Sequence, residues 1–322
     1  MIHIPVLAQE VSNGLAPRQG GVYVDGTLGG GGHTELLAQA VGPGGMVLAM
    51  DRDLGAIDAA EEAFQKKRST GDALATIRLA HANFRDFPIA LRMLQMETVD
   101  GFLLDIGLSS DQLADRNRGF SFDSDGPLDL RFDTTEGWPA YSHLEKWNEE
   151  RIADMIYEYG EEKFSRRIAK KIVELRKEGR PIRTARELSE LVRKCVPRER
   201  KTNSRSTPID PATRTFQALR IAVNDELGSL EAFLKQAASF LKPGGRVAII
   251  SFHSLEDRIV KNAFRDDPLL EPVTKKPVTA TEEEINRNPR CRSAKLRIAE
   301  RRPAANSVLR GYDSNFRVAG LD

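Results

Sequence analysis

Only two cysteines, Cys195 and Cys291, occur in 322 residues, far apart and in no Cys-x-x-Cys pair. That scarcity argues against a disulfide framework and against a zinc site, and leaves both as ordinary buried or half-buried thiols. No apolar run approaches the roughly 18 residues that a membrane span needs. The opening Met1-Ile2-His3-Ile4-Pro5 lacks the basic and apolar regions of a secretory signal. The expectation is a soluble, cytoplasmic protein with no membrane partner. Its length suits about two average domains.

Net charge is close to absent too, at +1, but the average hides a strong asymmetry. Residues 97–162 hold 17 acidic against 5 basic side chains, net −12, whereas 163–220 hold 18 basic against 6 acidic, net +12. The tail 290–322 adds 8 basic against 3 acidic residues. Clustered positive charge steers a protein toward phosphates. Solvated helix faces paired with the acidic segment account for the same counts equally well.

What is present reads first as strands alternating with helices, the pattern of a parallel sheet covered on both faces. Residues 21–25, 46–51, 75–79 and 101–105 form four β-rich runs, and 246–251 supplies a fifth after the Pro243-Gly244 turn. Between the fourth and fifth, roughly 115–212, the period changes. Ile152, Met155, Ile156 and Tyr159 stripe one helix, and Phe164, Ile168, Ile172 and Leu175 stripe a second. Thr184 with Glu187 makes a capping box for a third. The organisation is therefore an α/β domain, 1–114 and 213–322, carrying an inserted all-helical substrate-recognition domain, 115–212. Residues 198–213 are expected to be a basic connector, and 266–290 an exposed loop.

The sharpest local signal is Asp25-Gly26-Thr27-Leu28-Gly29-Gly30-Gly31-Gly32-His33-Thr34, lying after a strand and before a helix. A dinucleotide fingerprint needs Gly-x-Gly-x-x-Gly, but the sixth position from Gly29 is Thr34 and from Gly30 is Glu35. No Gly-Lys-Ser/Thr follows, so the Walker pattern fails as well. An acid followed by a glycine turn at a helix N-terminus suits a zwitterionic amino acid, with Asp25 toward the ammonium and backbone amides toward the carboxylate. Asp51, ending the second strand, stands where a doubly wound fold places an acid on ribose hydroxyls; capping of the next helix explains it as well. Phe84 suits an adenine or a core position. Asp105-Ile106-Gly107-Leu108-Ser109-Ser110 brings a polar cluster to the same edge. An amino-acid head, a ribose and an adenine together describe S-adenosylmethionine.

These blocks resemble the ribosomal small-subunit methyltransferase H family, also called MraW. The likeness extends through Leu103-Leu104-Asp105-Ile106-Gly107, Arg118-Gly119-Phe120-Ser121-Phe122, Asp125-Gly126-Pro127-Leu128-Asp129, Thr213-Arg214-Thr215-Phe216-Gln217, Ser251-Phe252-His253-Ser254-Leu255-Glu256-Asp257-Arg258 and Asn288-Pro289-Arg290. The resemblance implies a Rossmann-like class I methyltransferase that acts on N4 of a cytidine in the decoding region of small-subunit (16S) ribosomal RNA. It further implies a homodimer, and S-adenosylmethionine contacts from Gly31, Gly32, His33, Asp51, Phe84, Asp105 and Gln112. The family commonly has proline where this chain has Asp111. Asp105 and His253 are the candidate catalytic groups, His253 as acceptor of the released proton; no metal is expected. Lys201, Arg205 and Arg214 are candidate RNA contacts, the substrate being naked RNA or the assembled subunit. A DNA or transfer-RNA enzyme is disfavoured because no Asp/Ser-Pro-Pro-Tyr follows the fourth strand. A non-catalytic RNA-binding assembly factor is the alternative from another class.

Overall fold

The computed structural model describes residues 5–69, 74–197 and 210–303. In chain order the elements are α1 (Ala8–Leu15), β1 (Val22–Asp25), α2 (Gly32–Val41), β2 (Met46–Asp51), α3 (Leu54–Ser69), β3 (Thr76–His81), α4 (Phe87–Met93), β4 (Val99–Asp105) and α5 (Ser110–Ala114). The helical stretch follows, with α6 (Ala140–Lys146), α7 (Glu149–Gly160), α8 (Ser165–Lys177), α9 (Ala185–Cys195), α10 (Ala212–Asn224) and α11 (Glu226–Phe240). The chain then completes the sheet through β5 (Leu241–Ser251), α12 (Ser254–Asp266), β6 (Leu270–Pro272), α13 (Glu282–Arg287) and β7 (Lys295–Arg301).

The seven strands lie in the order β3-β2-β1-β4-β5-β7-β6. The five strands expected from sequence are mutually parallel, while β7 runs antiparallel to both β5 and β6. This is a Rossmann-like sheet with a reversed edge. Because successive strand residues face opposite sides, neighbouring positions feed two different cores: Tyr23, Leu103, Ala248 and Ile250 join the cluster beneath α1, α2 and α3, whereas Val24, Phe102, Leu104 and Ile249 join the one beneath α4, α11 and α12. Burial on both faces makes these strands read as continuous apolar runs.

The helical layer has its own core. Ile152, Ile156, Ile168, Ile172, Leu188 and Val192 meet there as the helical spacing requires. The Thr184 capping box forms as expected, with Thr184 Oγ1 accepting from Glu187 N at 3.2 Å and Glu187 Oε2 from Thr184 N at 3.0 Å. Ala212, Phe216, Ala218 and Leu219 of α10 belong to this core as well, so the helical packing unit continues to the end of α10.

The stretch 266–290 differs from the loop expected of it, since β6 and α13 fall inside it. Neither has the length or spacing to stand out in sequence. β7 was hidden by its charges: Arg297 is buried because it pairs with Asp257, Nε to Oδ1 at 2.6 Å. Of the anticipated RNA contacts, Lys201 and Arg205 lie outside the described residues, and Arg214 is exposed in the first turn of α10.

Candidate active site

Strands β1, β2, β4 and β5 are parallel and end at one edge, so residues distant in sequence converge there, as at the crevice of other doubly wound sheets. After β1 the glycine loop turns into α2. Gly31 takes φ +78° as the residue before the helix, a left-handed conformation costly for any side chain, and its amide donates to Leu28 O at 2.7 Å. No side chain caps α2; its first residues, Gly32 and His33, line the cleft at the strand ends. Gly31 itself lines a neighbouring hollow of about 530 Å³ on the α3 side.

Asp25 does not reach the cleft, contrary to the expectation that it faces an ammonium. It is fully buried, accepting from Thr34 Oγ1 at 2.6 Å and from Thr27 N at 3.1 Å. Burial pushes its carboxyl up to about 6 against the pull of those hydrogen bonds. Its work is structural: Thr27, held at 3.4 Å from Asp25 Oδ1, uses the same hydroxyl to accept from Asp105 N at 2.6 Å, which fixes the end of β4 against the loop. A folded-state value above the ordinary one means that Asp25 contributes stability at low pH that is lost as pH rises through about 6. Thr34→Val removes the 2.6 Å bond and should lower stability by about 1–3 kcal/mol at pH 8. Urea unfolding at pH 5, where the carboxyl is protonated, should show a smaller loss; equal losses at both pH values would contradict this account.

Asp51 behaves as an anchor with a free face. It is half-buried at the cleft, with Oδ2 accepting from Gly29 N at 2.8 Å and Oδ1 from Asp53 N at 2.9 Å. Burial raises its pKa and those bonds oppose the rise. Phe84 opens the short turn after β3 and lines the cleft, its ring edge-on to Phe233 at 6.0 Å. Gln112, 8% exposed, forms a capping box with Ser109 on α5 and donates from Nε2 to Asp53 Oδ2 at 2.9 Å. Asp111 in place of the common proline therefore leaves this side chain firmly held. The same Asp53 oxygen accepts from Arg118 at 3.0 Å, and Arg118 reaches on to the carbonyls of Arg131 and Phe132. This network ties the cleft to the segment leading into the helical layer.

Asp105 stands at the centre. Its Oδ2 lies 3.7 Å from His33 Nε2, while Oδ1 is shielded from solvent with no hydrogen-bond partner among the described residues. Burial, then the charges of Asp25 and Glu256, push its carboxyl up to about 7, with Arg290 pulling the other way. A buried, unsatisfied acceptor at the mouth of a cleft is a group waiting for a donor. His253 turns out differently from expectation, for it is absent from the cleft wall. It caps α12, with Nδ1 accepting from Glu256 N at 3.4 Å and Nε2 standing 3.1 Å from Glu256 Oε1. An imidazole that accepts at Nδ1 carries its proton on Nε2. His253 Nε2 and Glu256 Oε1 are both shielded from solvent without a hydrogen-bond partner among the described residues, and with Glu226 they bring three ligand-capable atoms within 4.8 Å of one another.

Several cleft residues were missed from sequence. Glu226 lines the wall, its carboxylate gripped by Arg220 at 2.8 and 3.0 Å. Phe252 covers Gly107, where an added Cβ would come within 3.1 Å of the ring. Arg290 donates to Ser110 Oγ at 2.5 Å and to Leu108 O, closing the side toward α5. Phe132 enters from the helical side, its amide held by Asn224 Oδ1 at 2.7 Å. The motifs containing Phe252 and Arg290 were visible, but the addition of the last strands beside β5 was not.

With this geometry in place, the comparison with known proteins is decisive. A model of the MraW methylase family matches residues 1–302. The chain belongs to that family. Among its relatives, a protein of Rhodopirellula baltica named ribosomal RNA small subunit methyltransferase H is 50% identical over 306 residues, covering 93% of this chain and 91% of that one. One of the same name from Synechococcus elongatus is 48% identical over 299 residues, covering 93% and 94%. A third, from Pelobacter propionicus, is 46% identical over 318 residues, covering 93% and 98%. This MraW-family chain thus matches its relatives through sheet and helical layer alike. No helix among the described residues is long and apolar enough to cross a membrane.

Proposed function

We propose that this chain uses S-adenosylmethionine to methylate N4 of a cytidine in the decoding region of small-subunit ribosomal RNA. The names of the relatives support RNA of the small subunit as substrate. The observation that carries the chemistry is Asp105 Oδ1, a shielded acceptor at the end of β4 without a partner among the described residues.

The residues present fit the cofactor. The uncapped start of α2 offers amides to a carboxylate, Asp51 offers its exposed side to ribose hydroxyls, and Phe84 and Gln112 stand where an adenine is to be received. Bound there, the cofactor supplies a sulfonium methyl, already a strong electrophile. The protein's task is then chiefly alignment, worth several kcal/mol when the attacking atom is held at near-attack distance. The exocyclic nitrogen of cytosine is a poor nucleophile because its lone pair is delocalised into the ring. Asp105 Oδ1 accepts one N–H, which localises that lone pair and orients the amino group, and the carboxylate takes the proton once the new bond has formed. Its tendency to stay protonated near pH 7 is opposed by the cofactor's positive charge.

The target base must leave its stack to enter, at a cost of a few kcal/mol that contacts to the rest of the RNA repay. Phe132 and Phe252 supply aromatic faces inside the cleft for such a base, and the helical layer of 115–212 serves as the substrate-recognition part. The test is to incubate the chain with methyl-labelled S-adenosylmethionine and either naked RNA or small subunits, then map the label by mass spectrometry. Label on N4 of one decoding-region cytidine is the expected result. Cofactor binding without label in RNA would leave the assembly-factor reading standing instead.

A further inference from the structure

Helix α8 is charged in a way that its own stability does not explain. Its buried side, Ile168, Ala169, Ile172 and Val173, packs into the helical core, while its outer side carries Arg166, Arg167, Lys170 and Lys171. The spacings 166–170 and 167–171 are i, i+4 pairs of like charge, which destabilise a helix. Two arginines also occupy the first turn, with no acid there, against the helix dipole. An ordinary solvated face carries alternating signs.

These charges border a groove of about 960 Å³ between α8 and α9, closed at one end by the turn at 179–183 and floored by Leu175, Ile182, Leu191 and Cys195. Six basic side chains and three acidic ones line it. Two of the three acids are occupied: Glu174 pairs with Lys171 at 3.1 Å, and Glu187 accepts the amides of Arg183 and Thr184 at 2.8 and 3.0 Å. Arg180 and Arg183 have their own partners, Glu178 and Glu145. Arg167, Lys170 and Lys194 are exposed and have no ion pair among the described residues. A concave surface with unpaired cations focuses its field. Glu161, just before α8, accepts from Ser254 Oγ at 3.1 Å and from Arg258 at 3.5 Å, which holds the start of α8 to α12, the helix that follows β5.

We propose that this α8–α9 groove is a track for the phosphate backbone of the substrate RNA, with Arg167, Lys170 and Lys194 as its phosphate contacts. The proposal rests on the RNA-methylating reading above and adds where the strand runs as it leaves the cleft. The hollow beyond the glycine loop is lined by four acidic side chains against two basic ones, and since Arg118 pairs with Asp53 and Lys67 with Glu35, it is Asp111 and Asp115 that disfavour a polyanion there.

The test uses the full chain and a fluorescently labelled small-subunit ribosomal RNA, with anisotropy titrations repeated across a salt series. Lys170→Glu/Lys194→Glu should bind about tenfold more weakly at low salt, and the slope of log affinity against log salt should flatten by about 1.5, the value for two lost phosphate contacts. Cofactor affinity by calorimetry should be unchanged. The neutral Lys170→Gln/Lys194→Gln variant gives the same slope change without charge reversal, should the first variant fold poorly. An unchanged slope, while the wild-type chain still methylates its RNA, overturns the groove and leaves the enzymatic reading intact. Dissociation of a dimer in the variants by light scattering, with the RNA slope unchanged, would overturn it in favour of a contact with the acidic segment of a second copy. Absence of methyl transfer by the wild-type chain would be a failure of the function and not of the groove.

Discussion

Asp105→Asn should lower the rate of methyl transfer on the order of a hundredfold or more while leaving S-adenosylmethionine affinity within a fewfold of wild type. Positioned proton acceptors contribute about that much, and asparagine keeps the size of the side chain while losing the charge that draws the N–H and takes its proton. Stability should move the opposite way. The buried carboxyl is held up near 7, so its ionisation opposes folding, and the stability it lends at low pH is lost as pH rises through that value. The variant is spared this loss, and its melting temperature should exceed that of the wild type at pH 8 but not at pH 4. In the wild type, kcat/KM should rise with pH along an acid limb centred near 7 in the free protein, and that limb should vanish in the variant. Transfer that is unchanged while cofactor affinity collapses would make Asp105 a binding group instead.

Asp51→Ala should weaken S-adenosylmethionine binding on the order of a hundredfold or more, read by calorimetry. Hydrogen bonds to a charged acceptor are worth about 1.5–3 kcal/mol each. The side chain serves twice in the proposed function, since the oxygens that anchor Gly29 and Asp53 at 2.8 and 2.9 Å belong to the group proposed to face the ribose. Burial already disfavours its charge, so the unliganded variant should melt close to wild type while losing the upward shift that the cofactor confers. A dissociation constant within threefold of wild type would remove Asp51 from the cofactor site.

Both effects concern residues that the sequence offered directly, and the reason is local. Asp51 and Asp105 end strands whose apolar runs announce themselves, and a strand end in a parallel sheet is where ligands gather. The glycine loop was equally plain, although Asp25, its most conspicuous acid, proved to be a buried brace for Thr27 and Thr34. Sequence shows that an acid follows a strand; which side of the loop its side chain takes depends on what packs above it. His253 illustrates the same limit. Its position after β5 is that of a site residue, but Glu256 three residues later turns the ring into a helix cap.

Periodicity, capping and turn residues alone determined the five parallel strands, the change to helical spacing near 150, the Thr184 cap and the glycine loop, because each depends on neighbours within a few positions. Only the tertiary structure decided the remainder. β7 adds antiparallel to β5, with β6 antiparallel to β7 at the edge, and Arg297 of β7 finds Asp257; Arg290 closes the cleft from 180 residues beyond Ser110, and α10 completes the helical core. Such contacts join segments far apart in the chain, and their stability comes from groups that become partners only once the sheet has formed.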